Sequence, residues 1–136
     1  NPSKVSINCK VIGNYIHDNN HENFADPTAI VSRVPSGTGI LIMAGDEVEV
    51  TKNKIINNDS FGIGLIGLDL LFGTGNNYDV DPIPQACWIY NNSYKNNGNN
   101  PAGIVGGRRF SRSALILRIL SSLFAITDPH ACSSCF

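Results

Sequence analysis

Apolar and polar residues alternate closely in the stretch "VEVTKNKIINND", residues 48–59, and asparagines stand at Asn53, Asn57 and Asn58. The pattern occurs three times. Upstream, "CKVIGNYIHDNN" (9–20) places Asn14 at the Asn53 position, Ile16 at Ile55 and Asn19 at Asn58. Downstream, "CWIYNNSYKNNG" (87–98) supplies Asn92, Tyr94 and Asn97. The residues before the first asparagine agree as well: Val11, Val50 and Ile89 correspond, as do Cys9, Val48 and Cys87. A second short pattern accompanies the first. "TGILIM" (38–43) resembles "FGIGLI" (61–66), and "AGIV" (102–105) reads as the start of a third copy. Self-similarity of this kind marks a repeat architecture, in which each unit buries its apolar face only by stacking on its neighbours.

The spacings describe the unit. Gly39 and Gly62 are 23 residues apart, whereas Asn14, Asn53 and Asn92 are separated by 39 each time. The extra residues enter at different places, at 21–37 in the first interval and at 71–86 in the second. A repeat of about 23 residues therefore carries two loops of about 16, leaving from two different corners. Alternation predicts Val48, Val50 and Ile55 pointing inward from short strands that lie about 4.8 Å from their equivalents. Asparagines would fill the corners. Stacked asparagines can hydrogen-bond from one unit to the next, and they tolerate the left-handed backbone that a tight corner demands. The competing arrangement is an antiparallel sandwich whose turns happen to be rich in asparagine. Matching apolar positions favour the stacked form: an all-β, right-handed parallel β-helix (solenoid) fragment of about three coils.

The segments "HDNNHENFADP", "VPSGTGILIMAGDEVEVTKNKIINN" and "YDVDPIPQACWIYNNSYKNNGNNPAG" together resemble bacterial parallel β-helix domain proteins built from right-handed β-helix repeats. The similarity covers roughly residues 5–105, in loops as well as strands. It implies a fold like that of pectate lyases and an exported protein, periplasmic or secreted, but it transfers no catalytic residue.

Composition suits one domain. The chain has 136 residues, 42% of them hydrophobic, and a net charge of −1, which gives no nucleic-acid footprint. Phosphate-loop, nucleotide-fold and nucleophile-elbow motifs are absent from the sequence. The chain opens at "NPSKVSINC", already repeat-like, and reads as a piece of a longer β-helix missing N-terminal coils. The other end differs. All 17 asparagines precede residue 101; residues 1–103 carry six basic and ten acidic side chains, and residues 104–136 carry four arginines and one acid, Asp128. The organisation expected is thus a repeat region at 1–107 and an atypical tail at 108–136. Within the tail, "SALILRILSSLFAI" (113–126) has helical amphipathicity. This segment is a candidate cap over the last strand edge, a membrane-surface helix, or a misjoined gene end; it is too short to span a bilayer.

Cys9 and Cys87 share a repeat position with Val48 between them, about 10 Å apart at two strand spacings, beyond disulfide reach. Both are expected to be buried with free thiols. Cys132 and Cys135 form a CxxC pair, open to a disulfide or to half a zinc site, with only His130 nearby, short of a zinc ligand set. No metal site is therefore expected there.

Candidate chemistry lies in the loops and the strands beside them. Asp18, His21, Glu22 and Asp26 belong to the first loop region, and Asp79 and Asp81 to the second. With Arg33 as a base, Asp18, Asp26, Asp79 and Asp81 are the candidates for acid–base work, and their carboxylates are the candidate ligands for calcium. No other cofactor is indicated. Carboxylates acting in glycoside hydrolysis must face each other at roughly 5–10 Å, a convergence that loops from different corners need not produce. Turn acids more often bond their own backbone. His17 should point outward beside Asp18. Phe24 and Tyr78 are candidate sugar-stacking rings and Lys52 a candidate contact for an acidic sugar; Phe24, Phe72 and Tyr78 could equally pin the loops. The function expected is a non-catalytic module binding carbohydrate or a protein partner, the alternative being a polysaccharide lyase, hydrolase or epimerase of the pectate lyase-like type.

Overall fold

The computed structural model describes residues 6–73 and 75–102, and the backbone of 116–119. Nine short strands form in chain order: β1 (Lys10–Ile12), β2 (Tyr15–His17), β3 (Thr38–Met43), β4 (Glu49–Thr51), β5 (Lys54–Ile56), β6 (Phe61–Ile66), β7 (Trp88–Tyr90), β8 (Ser93–Lys95) and β9 (Ile116–Ile119). Helix is confined, among the described residues, to a 3-10 turn at Ile30–Arg33 and to α1 (Leu68–Phe72). The strands pair in three sheets, ordered β1-β4-β7, β2-β5-β8 and β3-β6-β9, and every pairing is parallel. Each tier of chain therefore contributes one strand to each sheet, and the second tier (β4, β5, β6) always lies between the other two.

Register follows the sequence pattern. Val11 pairs with Val50 and Val50 with Ile89; Ile16 pairs with Ile55 and Ile55 with Tyr94. These residues point into one core shared by the three sheets, joined by Val48, Ile63, Leu65, Ile42 and Cys87. Val50, Ile55 and Ile63 are fully buried, each worth about 1.5–3 kcal/mol relative to exposure. In the third sheet the repeated glycines are set by packing. A Cβ on Gly39 would collide with the Gly62 carbonyl, and one on Gly64 would lie 2.7 Å from the Phe61 ring.

Two classes of asparagine separate here. Asn14, Asn53 and Asn92 form one column and Asn19, Asn58 and Asn97 a second. Asn14 and Asn53 each direct their side-chain amide to the Oδ1 of the asparagine 39 residues on, at 3.1 and 3.0 Å, and Asn19 and Asn58 do so at 2.9 Å each. Their backbone N–H groups point to the same acceptors. Asn53 and Asn58 also reach back to the carbonyls of Val11 and Ile16 in the tier before. The chain turns, however, at the residue just before each column asparagine. Left-handed φ values occur at Gly13, Lys52 and Asn91, and at Asp18, Asn57 and Asn96; Asn8, Glu47 and Ala86 make a third such set. The expectation that the stacked asparagines themselves occupy the left-handed corners is corrected accordingly. Stacking and turning fall to adjacent residues because the turn must aim the next side chain inward.

One further expectation changes. Cys87 is buried but Cys9 is exposed, though both thiols are free; Cys9 lies in the first tier, whose strands pair with a described neighbour on one side only. Within 113–126, where a helix is one of the readings of the sequence, Ile116–Ile119 is the strand β9, paired from Ile63↔Ile116 to Ile66↔Ile119. The rest of that segment lies outside the described residues, as do Cys132 and Cys135. β9 is the third strand of the glycine-bearing sheet; of 102–105, the Ala102 N–H donates to Ser60 Oγ and 103–105 lie outside the described residues. Among the described residues, no helix is long and apolar enough to cross a membrane.

Candidate binding surface

The two loops leave the sheets at different places, one between β2 and β3 and the other after β6. They nevertheless meet. Arg33 donates from Nη1 to the Leu71 carbonyl, and its guanidinium lies 5.2 Å from the Phe72 ring centre. Phe72 packs at 6.4 Å against Tyr78, whose hydroxyl donates to the Gly73 carbonyl and whose pKa is raised by burial. Arg33 and Tyr78 therefore tie the two loops together.

The candidate acids are held locally. Asp26 accepts from the Thr28 N–H at 2.8 Å and hydroxyl at 2.6 Å, bonds that lower its pKa. Asp81 accepts from the Ile83 N–H and the Gln85 amide. Asp18, at a left-handed corner, sits 2.6 Å from His17 Nδ1, and that hydrogen bond, aided by Asn57, lowers its pKa. Asp79 and Lys52 are exposed, and Phe24 is 98% exposed on the first loop. Among the described residues, no three His, Cys, Asp or Glu side chains gather closely enough to hold a metal ion.

A denser arrangement occupies the outer face of β1-β4-β7. Because Val11, Val50 and Ile89 face the core, the residues on either side of each face outward. Register then aligns Lys10, Glu49 and Trp88 in one row and Ile12, Thr51 and Tyr90 in the next. Glu49 ties the rows together. It accepts from the Tyr90 hydroxyl at 2.5 Å and pairs with Lys10 at 3.4 Å. The Tyr90 hydrogen bond, helped by Lys10, depresses the Glu49 pKa, while Glu49 raises that of Tyr90. Beside this trio Trp88 is 47% exposed and Ile12 45%.

The neighbouring face, on β2-β5-β8, presents Tyr15, His17, Lys54, Ile56, Ser93 and Lys95. Tyr15 is also exposed, yet His17 stacks on it at 4.1 Å and Lys54 Nζ lies 5.1 Å from its ring centre. Tyr15 is nevertheless 58% exposed. The signal for the first face was present in the sequence: inward Val48 and Val50 force Glu49 and Thr51 outward, and the 39-residue spacing lines up Lys10, Glu49 and Trp88.

No family model, no curated protein and no solved structure matches the chain. Function is therefore argued from this geometry.

Proposed function

We propose that the chain is a right-handed parallel β-helix module of an exported bacterial protein that binds carbohydrate without transforming it. The observation that carries this reading is the exposed Trp88 indole beside the Glu49–Tyr90–Lys10 trio on a regular parallel sheet. An exposed ring next to fixed polar groups is the combination small-molecule sites use, apolar contact for affinity and a few polar groups for orientation. Identical strand order in all three sheets supports the β-helix, and the strong bias of parallel crossovers supports its right hand.

The electrostatics favour binding over catalysis. A general acid needs a carboxyl that stays protonated near the working pH, and Glu49 is shifted the opposite way. A tyrosine base needs a lowered pKa, and that of Tyr90 is raised. Glu49 is the one carboxylate on the strands of this face, where glycoside hydrolysis calls for two. The test is calorimetric titration with a panel of oligosaccharides, with chromatography of each mixture after incubation. Saturable binding that Trp88→Ala weakens by about tenfold or more, with the sugars recovered intact, is the expected result. Sugar cleavage or epimerisation by this protein, or no binding across the panel, would overturn the reading.

A further inference from the structure

We infer that the face of β1-β4-β7 takes uncharged pyranose chains and rejects uronate polymers. This inference rests on the carbohydrate reading above and assigns its ligand class.

Charge is the first ground. The face and its two flanking corners carry Lys10 and Lys52 against Asp46, Glu47 and Glu49, a net of −1. Of the two cations only Lys10 is held by Glu49, and Lys52 stands exposed at the corner. Lys10 pairs with it directly, and Lys52 is among the charges that keep it ionised. In the third tier the equivalent positions are Gln85, Ala86, Trp88, Tyr90 and Asn91, which are uncharged. A uronate chain brings one negative charge per sugar to a surface whose central group is a carboxylate. Like charges opposed at this range disfavour binding.

Hydrogen-bonding capacity is the second ground. One Glu49 oxygen accepts from Tyr90 and the other contacts Lys10, but each carboxylate oxygen can accept twice. The side chain is 22% exposed, so a sugar hydroxyl can donate to it. Trp88 stands one strand away from Glu49 in the same row, about 4.8 Å in the sheet. A pyranose whose C–H face rests on the indole thus brings its hydroxyl rim to Glu49. Equatorial hydroxyls keep that C–H face flat, which points to β-linked glucose-type chains.

The adjacent face has the opposite character. Lys54 and Lys95 stand there with Asp18 at the corner, and its exposed ring is already stacked. An acidic glycan would find its cations on that side.

The experiment titrates the full chain with β-1,4-gluco-oligosaccharides and with oligogalacturonates of matched length at one ionic strength. It compares wild type with Trp88→Ala, Glu49→Gln and the pair Lys54→Ala with Lys95→Ala, each checked for wild-type melting. The expected result is gluco-oligosaccharide binding at least about tenfold tighter than galacturonate. Trp88→Ala should abolish it, the lysine pair should leave it unchanged, and Glu49→Gln should weaken it while improving galacturonate binding. Galacturonate binding as tight or tighter, whether lost in Trp88→Ala or in the lysine pair, overturns the ligand class while the carbohydrate reading stands. Absence of binding to either sugar overturns both.

Discussion

The first and second tiers carry nearly the same pattern but live in different environments. Asn53 and Asn58 are buried, whereas Asn14 and Asn19 are exposed; Val50 and Ile55 are fully buried, whereas Val11 and Ile16 are only partly covered. The residue types barely differ. What differs is that the second tier has neighbours on both sides. In the central tier each column asparagine both accepts from the tier before and donates to the tier after. In the first tier, Asn14 turns its amide back to the carbonyl of Ile12 in its own tier. Burial in this architecture is therefore conferred by stacking, and an identical side chain carries more energy in the middle than at an edge.

Breaking the central column should have a large effect. Asn58→Ala takes from a fully buried side chain the acceptor for the Asn19 amide and the donor to Ile16 O and Asn97 Oδ1, although Asn97 Oδ1 keeps the Asn58 backbone N–H. With three side-chain hydrogen bonds lost at about 1 kcal/mol each, a loss near 3 kcal/mol is expected in urea denaturation. Asn19→Ala, at the edge of the same column, should lose about 1 kcal/mol. Equal losses would refute the comparison.

Core truncation is of the same order. Ile55→Ala should cost about 3–4 kcal/mol, since its site is enclosed on every side; Ile16→Ala, its pairing partner in the exposed tier, should cost less than half as much. The same denaturation series reads both.

Corner residues offer a smaller contrast with a change of sign. Gly13 and Lys52 hold equivalent left-handed corners, at φ 70° and 57°. A side chain is strained there by about 1 kcal/mol. Lys52→Gly should therefore raise the thermal midpoint by a few degrees, and Gly13→Ala should lower it by a similar amount.

The smallest effect is a pH dependence between the tiers. Glu49 has its pKa lowered below the ordinary 4.5 by Tyr90 first and by Lys10 of the neighbouring tier. Its contribution is fully present above the unfolded value and is lost as pH falls through the lower folded value. Tyr90, raised above 10.0 by the same hydrogen bond, gives a contribution that is lost as pH rises through its folded value. Thermal melts of wild type and Glu49→Gln should differ at neutral pH and converge as the pH falls below the ordinary glutamate range. A gap that persists into acid would contradict the assignment.

Much of the stacking was legible in the linear chain. Alternation about Val48, Val50 and Ile55 and the recurrence of asparagine at one spacing are local signals, and the strands and both columns appear where those signals lie. The burial of Cys87 but not Cys9 was not legible, because it depends on which tier has a neighbour. Nor was the role of Arg33: two loops about 38 residues apart meet over a carbonyl and a ring that no spacing rule connects. The strand at Ile116–Ile119 was not legible either, because it is made by pairing with β6, far back in the chain. Trp88, Glu49, Tyr90 and Lys10 could be aligned by register, but loop residues drew the functional reading away from the strands.

The order of residues determined by itself the parallel stacking register, the two asparagine columns and which side chains face the core, since each follows from alternation and a repeated interval. Tertiary structure alone decided which copy of each residue is buried, which corners tolerate Glu47, Lys52 and Ala86 at positive φ, and that Arg33 fastens two loops. Those outcomes depend on what lies above, below or across from a residue, and a neighbour many positions distant along the chain leaves no local mark in the sequence.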